Sequence, residues 1–213
     1  MDTGEKTMER FIEYKMHEIK KLGDPRFDDW LNLYQTSFPL NEQMLCSTFI
    51  RLLRHGQGTN RLFVAEHDDK VVAMVHYELI SIGETWNALA LWYFAVLPEF
   101  RDRHLGTRLY SDWLIPTALH EHCHCIVFEV EKPEIAAKRS HEDGVLAQRR
   151  LGFYQRSGAK LVQGVHYIQS VGDWQPKTEM LLMIHPLKSI GELETFNIMR
   201  GIFGRNVRKV TPV

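Results

Sequence analysis

Cysteine is scarce in this chain: Cys46, Cys123 and Cys125 are the only three in 213 residues. An odd, sparse set cannot build the disulfide framework of a small secreted domain, and it fits a reducing compartment. Long hydrophobic runs are missing too. The longest, Ala88 to Leu97, is about half of what a membrane-crossing helix needs. An excess of charge of one sign is also lacking, since 26 Lys and Arg face 27 Asp and Glu for a formal net charge of −1. No global field draws the protein onto nucleic acid or an anionic membrane, so neither is expected as a partner and any anion site must be local. The stretch Met1 to Lys21 is mixed in charge without the apolar centre of a signal peptide. The expectation is a cytoplasmic protein.

Repeats, low-complexity tracts and Gly-, Ser- or Pro-rich linkers are absent as well. Residues 1–213 therefore read as a single domain, with a core over about 8–187 and a C-terminal helix over about 188–203. What the chain does contain is an ordinary globular composition, 44% hydrophobic and 25% charged, long enough to bury a substantial core.

The segment Phe11–Ile19 alternates loosely and suits a first strand. Asp24-Pro25 resembles a helix start, carrying Phe27, Trp30, Leu31 and Tyr34 at helical spacing and stopping before Pro39. Asn41 is the expected cap of a second helix bearing Met44, Leu45, Phe49, Leu52 and Leu53. Leu62–Glu66 and Val71–Ile80 around His67-Asp68-Asp69-Lys70 form a hairpin signature. Ala88–Leu97 reads as a strand buried on both faces and ended by Pro98. A helix over His104–His120, a strand over Cys125–Val130, a helix over Val145–Ser157 stopped by Gly158, strands over Ala159–Gln163 and Glu179–Ile184, and a helix over Ile190–Ile202 complete the order. The class is α/β, or α+β by a stricter definition, with a mixed sheet. Packing of Ile190–Ile202 in trans would give a homodimer.

The stretch from Ala95 to Leu109 carries the most chemistry. A buried strand enters a turn holding Arg101, Arg103 and His104, and a helix begins directly after it. Helix starts offer unpaired N–H groups and a positive dipole end, and glycine at 106 lets an anion come close to the backbone. A solvated turn with its arginines in water is the plain alternative. The sequence Arg101-Asp102-Arg103-His104-Leu105-Gly106 resembles the pyrophosphate loop of the GNAT superfamily of N-acetyltransferases, Arg/Gln-x-x-Gly-x-Gly/Ala. The stretch Arg149 to Ala159, with Phe153-Tyr154 ahead of Gly158, is similar to the family's late helix. The likeness spans about Leu62 to Ile184. His104 departs from it, standing where the first glycine would be; its amide keeps the cradle unless φ must be positive there.

The resemblance implies a splayed GNAT sheet flanked by helices on both faces, with acetyl-CoA as cosubstrate and no metal. It implies pyrophosphate binding by Arg101, Arg103 and the amides of His104, Leu105, Gly106 and Thr107. The edge of Ala95, Val96 and Leu97 would bond the pantetheine arm as an added strand. Tyr154 would protonate the leaving thiolate in direct transfer to a primary amine of a small molecule or peptide. For the base, Glu129 and Glu131 lie two apart on one strand face, opposite Ile126, Phe128 and Val130. Glu129 is expected to orient or deprotonate the amine, with Glu131 beside it; a solvated face is the alternative. Tyr93 is a candidate for lining the acceptor pocket, with Glu78 and His76 weaker ones. Val165–Lys177 reads as a polar-aromatic insertion that shapes that pocket. Cys125 has apolar neighbours and reads as an inert thiol. The run His120 to Cys125 holds six polar or thiol residues in a row, but zinc sites pair separated knuckles, so a helix-end polar patch is expected. The rival function is a non-catalytic acyl-CoA-binding module, which would not need Tyr154 or the acidic pair.

Overall fold

The computed structural model describes residues 12–101, 103–172 and 175–210. Phe11, Asp102 and Trp174 of the sequence reading, and the expected core boundary near residue 8, lie outside the described residues. In chain order the elements are β1 (Lys15–Glu18), α1 (Phe27–Ser37), α2 (Cys46–His55), β2 (Asn60–His67), β3 (Lys70–Ile82) and β4 (Trp86–Val96). There follow α3 (Leu105–Arg108), a π turn over Leu109–Leu114, α4 (Ile115–His120), β5 (Cys125–Glu131), α5 (Pro133–Ala136) and α6 (His141–Arg156). The chain closes with β6 (Lys160–Leu161), β7 (Val165–Gln169), β8 (Thr178–Pro186), α7 (Glu192–Phe203) and β9 (Val207–Lys209).

The described residues form one nine-stranded sheet in the order β1-β2-β3-β4-β5-β8-β7-β9, with β6 also on β8. All pairs are antiparallel except β4–β5, which the helical crossover α3–α4 connects. This is the mixed α+β architecture that the sequence pattern implies. The turn between β2 and β3 is tight, with Asp68 and Asp69 at φ 47° and 58°, the paired left-handed geometry that matches strand twist.

One face of the sheet carries α1 and α2 around Trp30, Tyr34 and Phe49, and α7 around Ile198 and Met199. The other carries the α3–α4 helix and α6 around Tyr110, Leu114 and Tyr154. The apolar side of α7 is therefore used on this chain's own sheet. Its Gly201 sits so close to Ile82 that an added Cβ would lie 2.8 Å from Ile82 Cγ2.

Several local expectations fail for identifiable reasons. Asp24 does not cap α1, because its carboxylate takes the amide of Arg26 at 3.0 Å and its guanidinium at 2.9 Å, which delays the helix to Phe27. Asn41 does not cap α2; its amide donates to Thr178 Oγ at 2.6 Å, and a short 3₁₀ turn, Leu40–Glu42, intervenes. The helix over 105–120 widens into a π turn ahead of Pro116, whose missing N–H breaks the regular ladder, and Ile115 N–H reaches back to Tyr110. The α6 helix begins four residues early because Ser140 accepts the Asp143 amide at 3.0 Å. Finally, Val165–Gln169 is a strand rather than a loop.

Gly144 sets the contact between α5 and α6: an added Cβ would lie 2.8 Å from Ala137 Cβ and 3.1 Å from its Cα. Gly144→Val should therefore cost about 2 kcal/mol by overpacking, read as a lower midpoint in thermal denaturation.

Candidate active site

Parallel pairing between β4 and β5 lasts for three residues, Ala88 to Ala90 against Cys125 to Val127, and then the strands part. Beyond that point β4 is paired only with β3, and β5 only with β8. A crevice of about 460 Å³, counting space open to solvent, fills the gap. A bulge shapes its β4 wall. Register shifts between His76↔Tyr93 and Tyr77↔Leu91, leaving Trp92 as the extra residue. Trp92 and Tyr93 consequently both join the α1–α2 face, whereas strict alternation would send them to opposite sides.

The crevice passes through the sheet. From the α6 side it is lined by Phe94, Phe128, Arg150 and Tyr154, and from the α1–α2 side by Phe38, Glu42, Tyr93, Glu129, Glu131 and Gln169. Tyr154, Glu129, Glu131 and Tyr93 of the sequence reading thus meet in one place. Tyr154 is 6% exposed and packs on Phe128 at 4.3 Å between ring centroids; burial pushes its phenol up to about 12, so it stays protonated at neutral pH.

The two carboxylates of β5 have different surroundings. Glu131 is buried and paired in a fork with Arg139, whose Nη2 lies 3.0 Å from Oε2 while Nη1 bonds Oε1. That engagement corrects the picture of Glu131 as a second open acid. Glu129 accepts from Gln169 Nε2 through Oε1 with the Tyr167 hydroxyl nearby, while Oε2 is enclosed without a hydrogen-bond partner among the described residues. Burial raises its pKa.

A third carboxylate, Glu42, is 5% exposed, and its Oε1 has no partner among the described residues. Sequence reasoning missed it because it lies in an aperiodic turn, gave Arg150 no role of its own within the stretch Arg149 to Ala159, and missed Gln169 for want of any local motif. The turn bearing Glu42 is tied to both sides of the crevice. Tyr93 hydroxyl on β4 donates to the Glu42 carbonyl at 2.9 Å and accepts the Met44 amide at 3.3 Å, while Asn41 holds Thr178 on β8.

The loop ahead of α3 takes the glycine-type geometry. His104 has φ 57° and ψ 4°, left-handed, a conformation that costs a non-glycine residue about 1 kcal/mol. Arg108 N–H closes the first helical bond on the His104 carbonyl at 3.0 Å, so the amides of Leu105, Gly106 and Thr107 precede that bond at the helix start. Gly106 faces Val96 and Phe153, where an added Cβ would lie 3.7 and 3.9 Å from their side chains. The fold tolerates a side chain there, so glycine leaves room that packing does not require. Arg101 bends back, its Nε donating to the Val96 carbonyl at 3.0 Å, and Leu97 N–H bonds the Val72 carbonyl on β3. The Arg103 guanidinium lies 5.8 Å from the centre of the Phe100 ring.

Residues 27–144 match the family model for the acetyltransferase (GNAT) family, more than half of the chain. The chain belongs to the GNAT acetyltransferase family. Solved structures agree on the fold. A Bacteroides thetaiotaomicron protein described as a GNAT-family acetyltransferase superposes with TM-score 0.65 at 22% identity, covering 89% of this chain and 98% of that one. An Elizabethkingia anophelis GNAT acetyltransferase solved with acetyl-CoA bound gives 0.54 at 14%, covering 82% and 98%. The Escherichia coli ribosomal-protein-S18-alanine N-acetyltransferase gives 0.55 at 16%, covering 84% and 97%. A search of curated protein sequences finds no match.

Other sequence candidates in this GNAT chain lie outside the crevice. His76 is fully buried with its pKa lowered to about 3, and its Nε2 bonds Asn60 at 2.9 Å. Glu78 accepts from Trp92 Nε1 at 3.2 Å. Burial and Cys123 push Cys125 up to about 12, an inert thiol at neutral pH. Among the described residues no group of three or more His, Cys, Asp and Glu side chains could hold a metal, and no helix is long and apolar enough to cross a membrane.

Arg139→Ala would leave Glu131 buried without its guanidinium. Since Arg139 is itself 38% exposed, the loss should be about 2 kcal/mol rather than the full cost of a buried pair. Comparing urea midpoints of Arg139→Ala and wild type at pH 7 checks this.

Proposed function

We propose that this GNAT protein transfers an acetyl group from acetyl-CoA to a primary amine, by direct attack in a ternary complex. One observation carries the reading. The gap between β4 and β5 is lined from both faces of the sheet, with a phenol on one side and carboxylates on the other. Donor and acceptor can then meet without sharing an entrance. The acetyl-CoA bound to the Elizabethkingia anophelis relative supports the choice of donor.

On this reading the freed β4 edge at Ala95 and Val96 lies along the pantetheine arm. Leu97 contributes by its side chain and the direction it gives the chain, since its N–H is used on β3. The amides of His104 to Thr107 and the guanidinium groups of Arg101 and Arg103 face the pyrophosphate, with Arg101 swinging off Val96 or reaching on through its terminal nitrogens. Acetyl-CoA supplies the activated thioester. Tyr154 hands a proton to the departing thiolate, which its raised pKa permits because it keeps the hydroxyl protonated. Glu129, steadied by Gln169 and Tyr167, orients the amine, and Tyr93 walls the acceptor side. Glu131 shapes the wall through Arg139 rather than meeting the amine itself.

Gly106→Asp should weaken CoA binding more than tenfold by calorimetry without lowering the thermal midpoint. It sets a carboxylate in the room beside Val96 where the phosphates belong. Tyr154→Phe should keep CoA affinity and lower kcat for CoA-thiol release by about 10²-fold or more, the scale of general acid catalysis. Binding of acetyl-CoA with no thiol release from any amine would favour a non-catalytic module.

A further inference from the structure

We propose that Glu42 and Glu129 together form a seat for a cationic primary amine, and that Glu42 is the base that removes its proton. This rests on the acetyl-transfer reading and names its substrate class: alkyl amines that arrive as ammonium ions. The turn Leu40–Glu42 is held through its neighbours, by Asn41 on Thr178, by Gln43 on the carbonyls of Gln35 and Phe38, and by Tyr93 on the Glu42 carbonyl. The Glu42 carboxylate itself anchors nothing, yet it is 95% buried and lines the crevice with Oε1 unpartnered among the described residues. Glu129 Oε2 is in the same condition on the opposite strand. Two enclosed carboxylate oxygens without donors in one crevice are strongly unfavourable unless a ligand brings N–H groups. An ammonium brings three. A quaternary ammonium has none, a secondary one has only two, and a guanidinium is no nucleophile, so a primary amine is the nucleophile that brings the most N–H groups.

The charged and titratable groups around Glu42 are Glu129 and Glu131 on β5, Arg139 beyond α5, Arg150 and Tyr154 on α6, and Tyr93 on β4. Burial raises Glu42 to about 7; Glu131 and Glu129 add to the rise, while Arg150 and Arg139 oppose it. A base of that strength is half-ionised at neutral pH, where a proton acceptor works best. In the reaction Glu42 takes one proton from the ammonium, and the freed lone pair forms the C–N bond. As the C–S bond breaks, Tyr154 protonates sulfur and is re-protonated by the second proton that leaves nitrogen. Glu42 then returns its proton to solvent. The sum is ammonium plus thioester giving amide, thiol and one proton.

Four readouts test the idea on the purified full chain, comparing wild type with Glu42→Gln. With acetyl-CoA and n-butylamine, wild-type kcat/KM should rise through pH 7 and then level. In Glu42→Gln the limb near 7 should vanish, with kcat/KM climbing toward the amine's own pKa near ~10 and falling at pH 7.5 by about 100-fold or more, the scarcity of free amine. With an arylamine, already neutral at pH 7.5, the loss in the variant should be much smaller than with n-butylamine. Without acetyl-CoA, millimolar n-butylamine at pH 8 should raise the melting temperature of wild type and not of Glu42→Gln. Glu42 is a carboxylate whose folded pKa is raised, so it destabilises above pH 7 and progressively less as pH falls toward 4.5. Glu42→Gln should accordingly melt higher than wild type at pH 8 and lose that gain by pH 4.5.

A retained limb near 7 with an unchanged alkylamine rate overturns the role of Glu42 while leaving acetyl transfer standing. The same limb lost in Glu129→Gln instead reassigns the base to Glu129. Amine-dependent stabilisation without thiol release in wild type overturns acetyl transfer, and the base with it, but supports the ammonium seat.

Discussion

The separation of β4 from β5 is the constraint on which the rest depends. Two parallel strands stop bonding after three residue pairs, so the backbone groups beyond Ala90 and Val127 must be met by something other than the neighbouring strand. The chain answers part of that need itself, since Arg101 reaches the Val96 carbonyl, and the turn at Asn41 to Met44 spans the gap through side chains, from the Tyr93 hydroxyl on β4 to the Thr178 hydroxyl on β8. The wedge is held open by tertiary contacts on both faces. Aromatic packing of Trp30, Tyr34 and Phe49 secures the β4 side, and Tyr154 on Phe128 secures the β5 side. An opening so supported is a site rather than a defect, because closing it would require both hydrophobic clusters to repack.

Electrostatics inside the opening differ from those of the molecule as a whole. A chain of net charge −1 brings three glutamates to one crevice and gives a fork-shaped ion pair to only one of them. Glu131, with Arg139, is structurally satisfied. Glu129 has donors on one oxygen alone, and Glu42 is left to distant guanidinium groups, so desolvation dominates both and favours their protonated forms. Neighbouring positions on one strand face thus acquire unlike chemistry through their second contacts, which strand periodicity cannot specify.

Most of the frame is legible in the sequence because it is written in short-range patterns. The apolar run of β4, the Asp68-Asp69 hairpin, the helix after the basic loop and the Phe153-Tyr154 helix each state themselves within a dozen residues. The alternation of Glu129 and Glu131 against Phe128 and Val130 places the two carboxylates together on the face opposite the α6 cluster. What escapes is whatever depends on partners far along the chain. Asn41 looks like a cap until Thr178, 137 residues on, claims its amide. Val165–Gln169 looks like a loop because its pairing partners, β8 and β9, lie downstream. The bulge at Trp92 gives no signal, although it decides that Tyr93 faces α1 and α2. Glu42 belongs to the same class, a turn residue made important only by the strands it covers.

Two features break local rules, one at the start of α3 and one in the crevice. His104 adopts a left-handed backbone that glycine would take without cost, and the carboxylates of Glu42 and Glu129 are buried without full hydrogen bonding. Neither is repaired by its surroundings, though a histidine-to-glycine or glutamate-to-glutamine change would ease each. Proteins near the stability threshold keep such features where ligands compensate them, and a bound anion at one end with a bound cation at the other would do so here. The strained loop fixes the direction of the amides at the start of α3, while the unsatisfied oxygens create an acceptor for protons in the gap between β4 and β5. On the proposed reading, strain at the start of α3 and desolvation in the crevice suit a phosphate-bearing donor and an ammonium-bearing acceptor respectively.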